Sequence, residues 1–190
     1  MMKVKDIVRE AASALGLTDA VDYCDGKNAA SGDTPAAGEE DAKELLKFFH
    51  RVETDTAVNY VPLIFEEAVE SRNGKIDTSA LSKKFLRATY LRDKNGLRAQ
   101  YKTYPGYLLT AEKSGVLGYA YYPAEKTLSD DADFSADELE KAFVAGIAAE
   151  YYLKKQLFEE ADVYAREYKA ALSLARRTQS GKNFKARRWR

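Results

Sequence analysis

His50 and Cys24 are the only histidine and the only cysteine in this chain of 190 residues, and they bound most of the chemistry it can perform. One of each excludes an internal disulfide and a zinc site built from Cys and His, and leaves a single possible Cys-His pair. A Ser-His-Asp arrangement would have to use His50, which stands in Lys47-Phe48-Phe49-His50-Arg51 on a helical pattern, and no G-x-S-x-G elbow occurs. His50 is therefore read as an ordinary helix residue. Cys24 falls in a stretch read as loop, without a fixed base beside it, and is read as a bystander. Gly181-Lys182 lacks the earlier glycine and the following Ser or Thr of a phosphate-binding loop. The paired acids Glu66-Glu67, Asp130-Asp131 and Glu159-Glu160 could serve acid-base or metal chemistry only if they converged. Adjacent residues point to opposite faces of a strand and splay by about 100° on a helix, so these pairs are read as solvated charges and helix-start acids. The expectation is a protein without catalytic, metal-binding or cofactor-binding residues, and so not an enzyme.

Charge is where the chain is unusual. From Tyr168 to Arg190 there are eight Lys or Arg and no Asp or Glu, while the whole chain carries 30 of each sign; the first 167 residues therefore hold 22 basic against 30 acidic, a net −8. The last stretch, Gly181-Lys182-Asn183-Phe184-Lys185-Ala186-Arg187-Arg188-Trp189-Arg190, has too few apolar residues to fold alone. One reading is a solubilising end. The other is a docking arm, with Phe184 and Trp189 as apolar anchors and Lys185, Arg187, Arg188 and Arg190 pairing with acidic groups around them, because Trp and Arg concentrate binding energy. If the arm met phosphates instead of protein, the chain would be a nucleic-acid-binding protein whose affinity falls steeply with salt.

Tyrosine is frequent, with 13 copies. Tyr90, Tyr101, Tyr104, Tyr107, Tyr119, Tyr121 and Tyr122 lie in or beside a predicted sheet, which allows half-buried packing with the hydroxyl at the surface. It also allows a protein contact surface, since tyrosine is enriched at interfaces. A nucleic-acid stacking platform is disfavoured, because Arg87, Arg92, Lys94, Arg98 and Lys102 follow strand alternation with no consistent face.

The elements that must carry these residues follow from periodicity. Val4, Ile7, Val8, Ala11 and Leu15 predict a helix over 3–15, with Gly16 as its left-handed cap. Asp22 to Gly38 shows no periodicity and is read as loop or linker. Residues 39–60 predict a helix with an acidic start and a buried stripe of Leu45, Phe48, Phe49, Val52 and Val58, ended by Pro62. Between Leu63 and Pro123, Asn73-Gly74, Asn95-Gly96, Pro105-Gly106 and Ser114-Gly115 punctuate β-branched and aromatic runs, predicting about five antiparallel strands. Ser135 and Glu138 form a capping box for a helix from about Ala136 to Leu153, rich in small residues. Phe158, Ala161, Ala165, Tyr168, Leu172 and Ala175 then make a helical seam, which completes a hairpin bent near Lys155-Gln156. The predicted fold is α+β and mainly helical: residues 1–62 and 124–177 form a helical domain of four helices, 63–123 an inserted β subdomain, and 178–190 an extended basic arm. With 45% apolar residues such a chain buries a sizeable core. No apolar run approaches the roughly 18 residues needed to cross a bilayer, no secretory segment is evident, and a reducing cytosol without membrane attachment is expected.

The acidic lead-in Asp130-Asp131-Ala132-Asp133-Phe134, the small-residue helix Leu139 to Leu153, and the Phe158-Glu159-Glu160-Ala161 start with Tyr164 and Tyr168 behind it carry a resemblance. Together with the Arg-rich end Arg176 to Arg190 and the first helix, they resemble the head-to-tail connector proteins of tailed bacteriophages, also called adaptors or head-completion proteins. The resemblance implies a structural protein of the virion neck, made in the host bacterial cytoplasm. It implies a ring of twelve copies around a channel through which genome DNA passes without sequence-specific binding. It further implies that the arm residues Phe184, Lys185, Arg187, Arg188, Trp189 and Arg190 dock on the portal protein, while the ring presents a platform to a downstream tail, stopper or nozzle protein. Tyr151, Tyr164 and Tyr168 would then lie at subunit contacts, although packing inside the hairpin explains them as well. About sixty residues of sheet grammar depart from the nearly all-helical small members and resemble the extra lobe of larger adaptors from short-tailed phages.

Overall fold

Local spacing and capping explain the helices. In the computed structural model, which describes residues 2–28, 36–134 and 137–179, α1 spans Val4–Ala14 and buries Val4, Ile7, Val8, Ala11 and Ala12. Gly16 ends it at φ +71°, where its N–H bonds the Ser13 carbonyl and the Leu17 N–H reaches back to Ala12, a Schellman closure. A second helix, α2 (Thr18–Cys24), then occupies sequence that was expected to open into loop at Asp22. Seven residues are too few to display helical periodicity, and only Ala20 and Cys24 of α2 are buried. The next helix, α3 (Glu39–Asp55), buries Leu45, Phe48, Phe49 and Val52, as its stripe predicts. Its continuation to Tyr60 widens into a π-helical turn, Thr56–Tyr60, which buries Thr56 and Ala57 and leaves Val58 only half-buried.

Two long helices close the chain, α4 (Asp137–Lys154) and α5 (Phe158–Gln179). The described residues thus hold five α-helices where four were expected. Ser135 of the predicted capping box lies outside the described residues. The acidic lead-in has a defined partner: the Val4 N–H bonds the Asp130 carbonyl at 3.1 Å and the Ala132 N–H bonds the Met2 carbonyl at 2.9 Å. These bonds tie the start of α1 to the segment preceding α4.

The chain divides into two compact units, one comprising the segments up to Val52 and from Lys126 onward, the other Glu53–Glu125. The second unit takes in the end of α3, the π-helical turn and a short 3-10 turn at Thr78–Ala80, and its strands are all antiparallel: β1 (Ile64–Glu70), β2 (Lys75–Asp77), β3 (Phe85–Asp93), β4 (Arg98–Ala99), β5 (Tyr101–Tyr104), β6 (Tyr107–Thr110) and β7 (Ser114–Tyr121). One sheet runs β1-β7-β3-β4 and the other β2-β6-β5. Among the described residues strands number seven, against about five expected, because the chain changes sheet four times: between β1 and β2, between β2 and β3, at Gln100 between β4 and β5, and between β6 and β7.

Three of the turn signals act as predicted. Asn73 (φ 53°) and Gly74 (φ 76°) form the two-residue turn in which Arg72 and Lys75 exchange backbone hydrogen bonds. Asp93 accepts the N–H groups of Asn95 and Leu97, at 2.9 and 2.8 Å, to shape the β3–β4 turn, and Pro105-Gly106 joins β5 to β6. Ser114-Gly115 is instead the start of β7. Its glycine answers to close approach, since a Cβ there would stand 2.2 Å from the Arg92 carbonyl oxygen. Between the sheets lie Val69, Ile76, Leu91, Leu108, Leu117 and Tyr119, flanked by Phe65, Phe85, Tyr101 and Tyr121. The fold is therefore α+β, a helical frame interrupted by an antiparallel β insertion.

Candidate functional site

The helical hairpin forms because its facing sides differ in size. On α4 the buried positions include Ala142, Ala145, Gly146 and Ala148, while α5 contributes Tyr168 and Leu172. A Cβ on Gly146 would come within 2.7 Å of a Val52 methyl and 3.2 Å of the Tyr168 ring, so the glycine makes the space that Tyr168 fills. The Tyr168 hydroxyl reaches the Val52 carbonyl at 3.5 Å and the residue is 8% exposed, which places it inside its own unit. Tyr164 is half-buried and stacks on Tyr152 at 5.4 Å; Tyr151 is half-buried, edge-on to Tyr152, with the Lys155 ammonium 5.4 Å from its ring. The expected seam holds at Ala161, Tyr168, Leu172 and Ala175 and fails at Phe158, which is 65% exposed at the start of α5. Phe158 sits just beyond the helix break, where Gln156 adopts φ +62° and the Leu157 N–H closes back on the Tyr152 carbonyl. With Leu153 and Leu157 it forms an exposed apolar tip.

Polar groups inside this unit serve as pins. Lys126, with a side chain 7% exposed, pairs with Asp133 at 2.7 Å. His50 Nε2 lies 3.0 Å from both the amide nitrogen and the carbonyl oxygen of Lys126, so it fastens the same segment to α3 in either tautomer. Cys24 corrects its expected loop position: it closes α2, is 2% exposed, and burial pushes its thiol up, away from the reactive thiolate.

In the β unit the fully buried Tyr119 donates to Glu67 Oε1 at 2.6 Å and accepts the Lys83 N–H at 3.1 Å. Burial first, and the Glu67 hydrogen bond second, push this phenol up to about 12. Burial alone would raise Glu67, but hydrogen bonds from Ser82 and Tyr119 outweigh it and hold the carboxyl below the usual range. The pair has the look of acid-base machinery, yet a tyrosine with no exposed surface cannot meet a substrate, and it acts here as a structural clasp. Its neighbour Glu66 faces the other way, opposite Gly118, as strand alternation requires.

The tyrosines sort by register. Tyr119, with Tyr101 and Tyr121, belongs to the core, whereas Tyr104 and Tyr107 pair across β5 and β6 and stack at 5.2 Å, with the Lys75 ammonium 4.7 Å from the Tyr107 ring. Tyr90 lies flat over Gly118, where a Cβ would meet its ring at 2.4 Å, and Arg92 covers the ring at 4.7 Å.

One expectation is overturned here. Register shifts in β3 between Phe85 and Arg87 and between Ala88 and Tyr90 break strict alternation. Arg87 pairs with Ala120, Tyr90 with Gly118, Arg92 with Val116, and Arg92 again with Arg98 of β4. These cations and Tyr90 therefore share one outer face, opposite the core face of Phe85, Ala88 and Leu91. The signal in the sequence was the charge count: from Thr78 to Ala111 there are seven Lys or Arg against Asp93 alone.

Phe184, Lys185, Arg187, Arg188, Trp189 and Arg190 lie outside the described residues. Among the described residues no group of three His, Cys, Asp or Glu could hold a metal ion, and no helix is long and apolar enough to cross a membrane. No protein-family model matches the chain, and no curated protein matches it.

Proposed function

We propose that the chain is a structural connector of a tailed-phage virion, an adaptor ring that joins the portal to the tail and lines the DNA channel without catalysing a reaction. The observation that carries this reading is the apolar surface of the hairpin: Leu153 (51%), Leu157 (44%), Phe158 (65%), Val163 (51%) and Leu174 (56%) are all exposed. Leu153, Leu157 and Phe158 gather at the helix break, and a cluster of exposed apolar side chains marks a surface that is covered in an assembly. Side-by-side packing of hairpins in a homo-oligomeric ring covers them. The half-buried Tyr151 and Tyr164 extend the same surface, and Tyr168 sustains it from within. In this reading the arm residues Phe184, Lys185, Arg187, Arg188, Trp189 and Arg190 dock on the portal, and the opposite side receives the downstream tail, stopper or nozzle protein.

Mixing the protein with assembled portal and imaging the product by electron microscopy tests the reading. An added layer beneath the portal is expected, and its loss on deletion of residues 178–190. Portal rings that gain no layer, or a truncated chain that binds as well as the intact one, would overturn it.

A further inference from the structure

We propose that the basic strands of the β unit form a nucleic-acid-binding surface, in which Arg92, Arg98 and Lys102 hold phosphates and the stacked Tyr104–Tyr107 pair receives an unpaired base. The surface lies within one unit and uses neither the hairpin nor the arm, so it stands independently of the connector reading.

The first observation is unneutralised charge. Arg87, Arg92, Lys94, Arg98 and Lys102 are all exposed, and none takes part in an ion pair among the described residues. The one acid of the segment, Asp93, already accepts from the Asn95 and Leu97 amides. On the same sheet face Glu66 and Glu70 of β1 line a depression together with Arg92 and Lys94, and Glu66 accepts the Tyr90 hydroxyl. Neither carboxylate forms an ion pair with these cations among the described residues, and Arg98 on β4 stands beyond both β7 and β3 from them.

The second observation is an unfavourable pairing. Arg92 and Arg98 are direct cross-strand partners, and like charges placed opposite each other destabilise a sheet. Partner Cα atoms in an antiparallel ladder are about 4.5–5.5 Å apart, so the two guanidinium groups can reach one anionic oxygen cluster between them. A bound phosphate turns that local repulsion into attraction.

The third observation is geometry next to those cations. Arg98, Ala99, Tyr101, Lys102, Leu109 and Ala111 line a depression of about 700 Å³, with two cations and an apolar bed. Lys102 pairs with Leu109, and Tyr104 with Tyr107, on the same side of the second sheet, where Leu109 is 38% and Tyr104 40% exposed. The only acid on that side, Asp77, is engaged by the Ser79 amide and hydroxyl. Cations leading to an exposed aromatic stack suit a single strand, whose bases offer flat faces, better than an acidic peptide, which offers none.

Fluorescence anisotropy of the full chain with labelled oligo-thymidine, a duplex of equal length and a poly-glutamate peptide, at low and near-physiological salt, tests the proposal. R92Q/R98Q is expected to weaken oligo-thymidine binding about tenfold at low salt and to lower the salt slope by about 1.4, two single-strand phosphate contacts at about 0.7 each. Y104A is expected to weaken single-strand binding several-fold and to leave the duplex unchanged. The low-salt melting temperature of R92Q/R98Q is expected to equal or exceed that of the parent, because the facing charges are gone. A full chain with Lys185, Arg187, Arg188 and Arg190 all changed to Gln separates the arm: the R92Q/R98Q loss must persist in that background. Unchanged affinity in R92Q/R98Q, a loss confined to the arm variant, or equal binding of poly-glutamate with the same arginine dependence would each overturn the proposal.

Discussion

The hairpin α4–α5 and the β unit solve the burial problem in opposite ways. The hairpin brings backbones close by spending small residues, Ala142, Ala145, Gly146 and Ala148, against Tyr168 and Leu172, and it leaves large apolar side chains outside at Leu153, Leu157 and Phe158. The β unit packs large residues, Tyr119, Leu91, Leu108 and Leu117, between two short sheets, and it leaves unpaired cations outside. The cluster of apolar side chains at the hairpin tip is suited to permanent burial in an assembly, and the cationic face of the β unit, which also exposes Ile64, Leu97 and Leu109, to a reversible, salt-sensitive partner.

Substitutions should separate the two regions, and hydrogen exchange resolved by segment would show whether each effect stays in its own unit. The largest effect is expected for Phe143→Ala, because Phe143 is fully buried and its ring contacts Phe49 at 5.7 Å and Phe134 at 5.6 Å. Chemical denaturation should show a loss of about 3–5 kcal/mol, with faster exchange in α3 and α4 and little change in the strands. Uniform acceleration across both units would mean that they unfold as one body and would break the comparison.

Trp189→Ala should weaken portal docking by about 2 kcal/mol if the arm anchors there, measured by titration against assembled portal. An unchanged affinity would reduce the arm to a tether.

Tyr119→Phe should cost about 1–2 kcal/mol, since it leaves the buried side of Glu67 and the Lys83 amide without their partner. The clasp also sets a pH dependence specific to the β unit. The unfolded phenol ionises near 10.0 and the folded one near 12, so its contribution is full below 10.0 and is lost as pH rises toward 12. Glu67 has the opposite sign: its depressed carboxyl contributes fully above the ordinary carboxylate range and is lost as pH falls through its lowered folded value. Denaturation midpoints followed against pH should lose the alkaline limb in Tyr119→Phe; an identical alkaline limb would show that another group causes it.

The smallest effect should be a gain. Gln156 holds φ +62° at the Schellman position after α4, which favours glycine, and Gln156→Gly should stabilise the hairpin by up to about 1 kcal/mol in thermal unfolding. A loss would indicate that the Gln156 side chain contributes contacts outweighing the backbone strain.

Local signals were legible and non-local ones were not. Helices α1, α3, α4 and α5 announce themselves because one apolar face recurs over three or more turns, and Asn73-Gly74 and Pro105-Gly106 because turn chemistry resides in two residues. The seven-residue α2 is shorter than any period that would reveal it, and its cap, Gly26, looked like one more loop glycine. Ser114-Gly115 imitates a turn dipeptide, while the reason for its glycine, the Arg92 carbonyl, stands on another strand. Phe158 fits the seam by spacing and is exposed because the helix break at Gln156 sets where α5 begins to meet α4.

By itself, the chain of residues determined the α+β class, the insertion of strands between helices, the polarised charge and the small-residue character of α4, since composition, period and turn types act over a few neighbours. Tertiary structure alone decided which tyrosines are core and which are surface, that Glu67 has a phenol for a partner, and that Arg87, Tyr90, Arg92 and Arg98 share a face. The reason is physical: each register shift in β3 reverses the side on which the following residues emerge, so the first turns Arg87 outward and Ala88 inward and the second restores the original alternation for Tyr90, Leu91 and Arg92, and pairing with β7, distant in sequence, fixes where those shifts fall.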